Sequence, residues 1–162
     1  MPALPLQRPD HQAISMSEVA DRLSIRELVD AYARCADRRD AEGQMALFSE
    51  DTHFVMRSAN DSRPSQELHS RQALADVFAD LRKYDSTTHF IGQSAIRSLT
   101  GESAAGETHC LAHLVSVVGE GRRLTVISVR YLDSFRKIDG RWFFAERDLI
   151  LDWSETRVLG GQ

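Results

Sequence analysis

Near residue 87 the hydrophobic pattern of this chain changes its period. Upstream, Leu74, Val77, Phe78, Leu81 and Tyr84 recur at spacings of three and four, and the stretch Arg71–Tyr84 is expected to be helical. Downstream the pattern becomes alternation rich in β-branched residues. It predicts strands near Thr88–Leu99, Glu107–Val118, Arg123–Arg136 and Arg141–Leu151. Gly101-Glu102, Gly119-Glu120-Gly121 and Asp139-Gly140 punctuate them. Asp139-Gly140 is the strongest of these signals, because both residues tolerate the positive φ of a type I′ hairpin turn.

Two further helices precede this switch. Ser15 and Glu18 have the spacing of a capping box, and Val19, Leu23, Ile25, Leu28, Val29, Tyr32 and Ala36 follow at helical intervals, predicting a helix over Ser17–Ala36. A shorter helix is expected over Asp40–Ser49, then a strand over Thr52–Arg57, a polar loop and an extended piece at Gln66–His69. Helices followed by long antiparallel strands define an α+β domain, in which the sheet buries one face against the helices. The expected division is an N-terminal arm (1–16), one domain (17–155) and a C-terminal tail (156–162).

Composition narrows the function. Twenty lysines and arginines against 24 aspartates and glutamates give a net charge of −4, so no general attraction to nucleic acid is expected. No apolar run approaches a membrane span, and the first sixteen residues lack the apolar centre of a signal peptide. Cys35 and Cys110 are the only cysteines, far apart and without metal spacing, which fits a reducing cytoplasm. The chain has neither a glycine-rich phosphate loop nor a Gly-x-Ser-x-Gly elbow.

The candidates for chemistry are few. Asp37, at the end of the first helix, and His89, in Thr88-His89-Phe90-Ile91-Gly92, could form an acid/base pair, since a carboxylate fixes the tautomer of an imidazole and stabilises its protonated form. Pattern alone favours a solvated helix-end acid for Asp37 and a satisfied core residue for His89. His109 and His113 lie four residues apart, but on a strand that separation is about 13 Å, too far to share an ion. No metal site and no cofactor are therefore expected, and either histidine remains a candidate for the pocket. Tyr131 and Trp153 are core, interface or pocket aromatics, as are Phe54 and Phe78.

The stretches Ile25–Asp40, Leu47–Asp51, Thr88–Gly92 and Tyr131–Phe144 together resemble SnoaL-like proteins of the nuclear transport factor 2-like superfamily, over roughly Ser17–Trp153. The resemblance implies N-terminal helices packed on a strongly curved antiparallel or mixed sheet that forms a cone around an apolar pocket. Within the superfamily the chain is similar to scytalone dehydratases, hexachlorocyclohexane dehydrochlorinases and bile-acid 7α-dehydratases. It thereby implies a cofactor-independent lyase or isomerase acting on a small apolar cyclic molecule. Asp37 and His89 match the family's aspartate–histidine pair, and Tyr32 matches a tyrosine five residues before the aspartate. His109, His113, Phe54, Phe78, Tyr131 and Trp153 are then expected around the substrate, in a homo-oligomer, dimer or trimer, that binds neither nucleic acid nor membrane. The fold equally hosts binders of apolar ligands and structural small subunits of ring-hydroxylating dioxygenases, and the ending Glu146–Asp152 resembles the latter.

Overall fold

The computed structural model describes residues 14–160, so most of the expected N-terminal arm lies outside the described residues. Helix α1 (Met16–Arg38) begins at Ser15, whose Oγ accepts the N–H of Glu18 at 3.1 Å. The Glu18 carboxylate takes Arg22 one turn on, so only half of the capping box forms. The helix buries Ile25, Leu28, Val29, Tyr32, Ala33 and Ala36 and stops at Arg39, which adopts the left-handed conformation with φ of 55°.

Helix α2 (Ala41–Met45) is capped by Asp40 and is shorter than expected, because Phe48 and Ser49 open strand β1 (Phe48–Ser58). Tertiary pairing decides this. Phe48 is fully buried opposite Phe144, their ring centroids lie 5.0 Å apart, and the N–H of Phe144 bonds the carbonyl of Leu47. Strand β2 (Gln66–His69) follows. The helical stripe expected over Arg71–Tyr84 divides into a 3₁₀ turn (Gln72–Leu74), helix α3 (Ala75–Ala79) and a second 3₁₀ turn (Asp80–Lys83). Ser70 Oγ accepts the N–H of Ala73 at the first turn, but the two later starts have no side-chain cap and only Leu74 and Phe78 are buried, so tertiary anchoring rather than helical propagation shapes the segment.

Strands β3 (Ser86–Leu99), β4 (Ser103–Val118), β5 (Gly121–Ile138) and β6 (Arg141–Leu159) complete a six-stranded sheet in the order β2-β1-β6-β5-β4-β3. The sheet is mixed, since β1 runs parallel to β6 and every other pair is antiparallel. The β5–β6 turn has φ of 49° at Asp139 and 77° at Gly140, both positive as a type I′ turn requires. Strand β6 stays paired to Leu159, opposite Arg122, where a tail had been expected from residue 156.

Cross-strand register assigns every side chain to a face. His89, Ala112 and Ile127 form one inner row, Ile91, Cys110 and Val129 the next, and Thr108, Tyr131 and Leu149 a third. The helices cover this side, and the sheet curls over it without closing, because β2 and β3 remain edges. Among the described residues no helix is long and apolar enough to cross a membrane.

Candidate active site

The start of strand β3 and the two residues before it are clipped to the end of α1. The Arg39 guanidinium donates to the carbonyls of Tyr84 and Asp85, and the Thr87 hydroxyl donates to the carbonyl of Ala36. These bonds set the register that brings His89 to Asp37. The backbone N–H of His89 donates to both carboxylate oxygens, at 2.9 and 3.1 Å, and its Nδ1 lies 2.7 Å from Oδ1. An ionised carboxylate accepts only, so Nδ1 carries a proton, and in the neutral imidazole this tautomer puts the lone pair on Nε2. The His89 side chain is 9% exposed and that of Asp37 29%. Asp37 reaches solvent through an open depression bordered by Arg26, Arg34 and Arg38 on the far side of the pair.

On its other side His89 lines a cavity of about 450 Å³ between the sheet and the segment around α3, a size typical of small-ligand sites. Phe54, Met56, Val77, Phe78, Leu81, Leu114, Ile127 and Leu149 supply apolar walls. Tyr32 and Tyr131 line it as well, with ring centroids 5.8 Å apart in an edge-to-face arrangement. Burial pushes both phenols above their ordinary range, which keeps them as O–H donors. The Cys110 thiol, raised to about 11 by burial, sits in the hydrophobic core and stays protonated.

Two polar groups at this site carry no signal that periodicity or motif spacing detects. Gln44 of α2 lines the cavity, is 1% exposed, and has no hydrogen-bond partner for Oε1 among the described residues. Arg147 lies beneath the two tyrosines, fully buried, with its guanidinium carbon 4.1 Å from the ring centroids of Tyr32 and Tyr131 and 4.2 Å from that of Phe144. Asp133 receives it in a bidentate pair at 2.7 and 2.9 Å. Burial opposes the charge of Arg147, but Asp133 outweighs it and holds the guanidinium protonated. The sequence clue was Asp133 itself, which alternates with Tyr131 and Phe135 on an inner face, where a lone charge demands a buried partner.

Of the expected site residues, Asp37, His89, Tyr32, Phe54, Phe78 and Tyr131 come together at this dyad and cavity. His109 and His113 do not. They alternate with Cys110, Ala112 and Leu114 and so face the outer side of the sheet, where His109 lies 3.3 Å from Glu107. Trp153 pairs with outer-facing Ser128 and is half-exposed, because the β-bulge between Ser128 and Val129 shifts the register of β6.

Residues 17–148 match the SnoaL-like domain family. Among solved structures the chain is similar to a proposed scytalone dehydratase from Novosphingobium aromaticivorans, with a TM-score of 0.74 and 20% identity over 90% of this chain and 92% of that one. It is also similar to a type 2 hexachlorocyclohexane dehydrochlorinase, with a TM-score of 0.71 and 16% identity over 90% and 93% of the two chains. The β subunit of a proposed aromatic-ring-hydroxylating dioxygenase from Novosphingobium aromaticivorans gives 0.69 and 25% identity over 84% and 93%. An uncharacterized protein of Mycobacterium tuberculosis is 24% identical over 140 residues, 85% of this chain and 90% of its own length.

Proposed function

Taking as premise that the chain belongs to the SnoaL-like domain family, we propose that it is a cofactor-independent lyase or isomerase of the dehydratase or dehydrohalogenase type. Its substrate is a small, mostly apolar cyclic molecule with an acidic C–H. The observation that carries this reading is the 2.7 Å contact of Asp37 with His89 Nδ1, with His89 itself in the wall of a mostly apolar cavity. In the proposed step His89 Nε2 takes the proton, the C–H electron pair forms the new double bond, and hydroxide or halide leaves. Asp37 fixes the tautomer and stabilises the imidazolium. Tyr32 donates a hydrogen bond to a carbonyl or to the leaving hydroxyl, and Gln44 offers a carboxamide to a polar substituent. Apolar walls exclude water, and general-base transfer of this kind contributes typically about 10²–10⁴-fold.

The test is a double-mutant cycle on a panel of cyclic hydroxyketones and halogenated cyclohexanes. His89→Ala removes the base, and Asp37→Asn keeps the shape but withdraws the charge. Single-turnover rates should fall about 10²–10⁴-fold in each, and the double mutant should be little worse than His89→Ala alone. Urea midpoints should move far less than the rates. Full activity in His89→Ala would end the proposal. If the pair is instead a structural contact in a binder, the substitutions cost about 1–3 kcal/mol of stability and no turnover is found. The likeness to a dioxygenase β subunit supports a second reading as a structural subunit. A stable complex with an iron-containing partner on purification would favour that reading.

A further inference from the structure

We propose that His53, Glu67 and His69 form a binding site for a divalent transition-metal ion of the zinc class on the outer face of the sheet. The three residues lie 14 and 2 positions apart in sequence and are joined by the antiparallel pairing of β1 with β2, in which His53 faces His69 and Val55 faces Glu67. Alternation then puts all three on one side, while Phe54 and Met56 turn inward to the cavity. The two imidazole rings stack with centroids 4.5 Å apart and planes within 6°. Their Nε2 atoms address the same carboxylate oxygen, Glu67 Oε1, at 2.8 Å from His53 and 3.6 Å from His69. One donor atom from each residue lies within 4.8 Å of the others.

Two imidazoles and a carboxylate suit zinc, nickel or cobalt, whose bonds to such ligands are about 2.0–2.2 Å. Ligands sharing a tetrahedral ion sit about 3.3–3.5 Å apart, so closing the site requires side-chain rotations of roughly 1 Å. The side chains have that freedom, since His69 is 70% and Glu67 46% exposed. A proton can bridge Glu67 to only one ring at a time, whereas a metal ion engages both nitrogens and the carboxylate together and leaves a position for water. Strand β2 has only four residues and lies at the edge of the sheet, with Gln66 at the cavity wall. A bound ion pins that edge to β1. The site lies on the face opposite the cavity, so this proposal is independent of the dyad chemistry.

The experiment uses the tag-free chain, stripped with a strong chelator and then titrated with Zn²⁺ by calorimetry and with Co²⁺ by visible absorption. One ion should bind per chain, and Zn²⁺ at about one hundred times its Kd should raise the unfolding temperature by roughly 5–10 °C. His69→Ala and Glu67→Gln, each checked for native circular dichroism, should weaken binding at least about tenfold. His109→Ala, which removes an outer-face histidine paired with Glu107, should leave it intact. Absence of saturable binding, or affinity unchanged in both His69→Ala and Glu67→Gln, would overturn the site. Turnover by the His89 dyad should survive the chelator, so the two proposals fail separately.

Discussion

Arg147 and Asp133 carry opposite charges with no exposed side-chain surface, and each is the other's sole ionic partner among the described residues. Desolvating two ions costs several kcal/mol apiece, and the bidentate bonds with the three surrounding rings offset that cost only while both partners remain. Arg147→Met should therefore destabilise by about 3–5 kcal/mol, because it strands a buried carboxylate. Arg147→Met with Asp133→Leu should cost much less than the sum of the single changes. Urea unfolding of the two single mutants and the double mutant measures this, and additive losses would contradict it. The pair also explains an asymmetry in what single residues disclose. Asp37 and His89 stand at a helix end and in a short motif, and the resemblance to the family's aspartate–histidine pair, not periodicity, raises them as candidates. Arg147 is announced only indirectly, by the inward-facing charge of Asp133, and Gln44 becomes visible only when α2 is assembled against the cavity.

At the scale of elements, α1 is docked to the β5–β6 hairpin by one carboxylate. Asp21 accepts from Lys137 Nζ at 2.6 Å and from Trp142 Nε1 at 2.9 Å, and it is nearly buried. The bonds from Lys137 and then Trp142 hold its carboxyl below the ordinary value, against the opposing effect of burial. A depressed folded value means that the stabilisation is complete above the unfolded pKa near 3.9 and is lost as pH falls through the folded value. Asp21→Asn should cost about 1–2 kcal/mol at neutral pH, and its deficit relative to wild type should shrink as pH falls below about 4. Urea midpoints at neutral and acid pH test this, and a deficit that persists unchanged at low pH would contradict it. Elements with strong local signals were legible from sequence: α1 with its Ser15 cap, the Asp139-Gly140 hairpin and the four long strands. The errors fall where tertiary pairing overrode local preference. Phe48 joined a strand because Phe144 lay opposite, the Arg71–Tyr84 stripe broke into short turns, and β6 continued because β5 remained there to pair with it. Register could not be obtained from one chain's pattern, and so His109, His113 and Trp153 were expected at the pocket.

For the whole molecule, the decisive asymmetry is that the helices cover one face of the sheet and leave the other open. Across the open face Phe90, Leu111 and Trp153 are linked through Ser128 in cross-strand register, and they are 66%, 37% and 50% exposed. The same face carries the Arg130–Asp152 and Arg57–Asp148 pairs, so it presents charges of both signs around an apolar row. Such a surface can meet a second copy of itself about a two-fold axis, which brings one patch against the same patch. The chain is accordingly expected to be a homo-oligomer, and light scattering of a dilute solution should give a mass of at least two subunits. Trp153→Glu places a charge in the middle of the apolar row and should shift that mass toward one subunit. Because Trp153 faces away from the cavity, the monomeric variant should keep its far-ultraviolet circular dichroism and its rate per subunit on any substrate that the His89 dyad turns over. A strictly monomeric mass for the wild type would refute the assembly. A monomeric Trp153→Glu that also loses turnover would show instead that the open face and the cavity are coupled through the sheet.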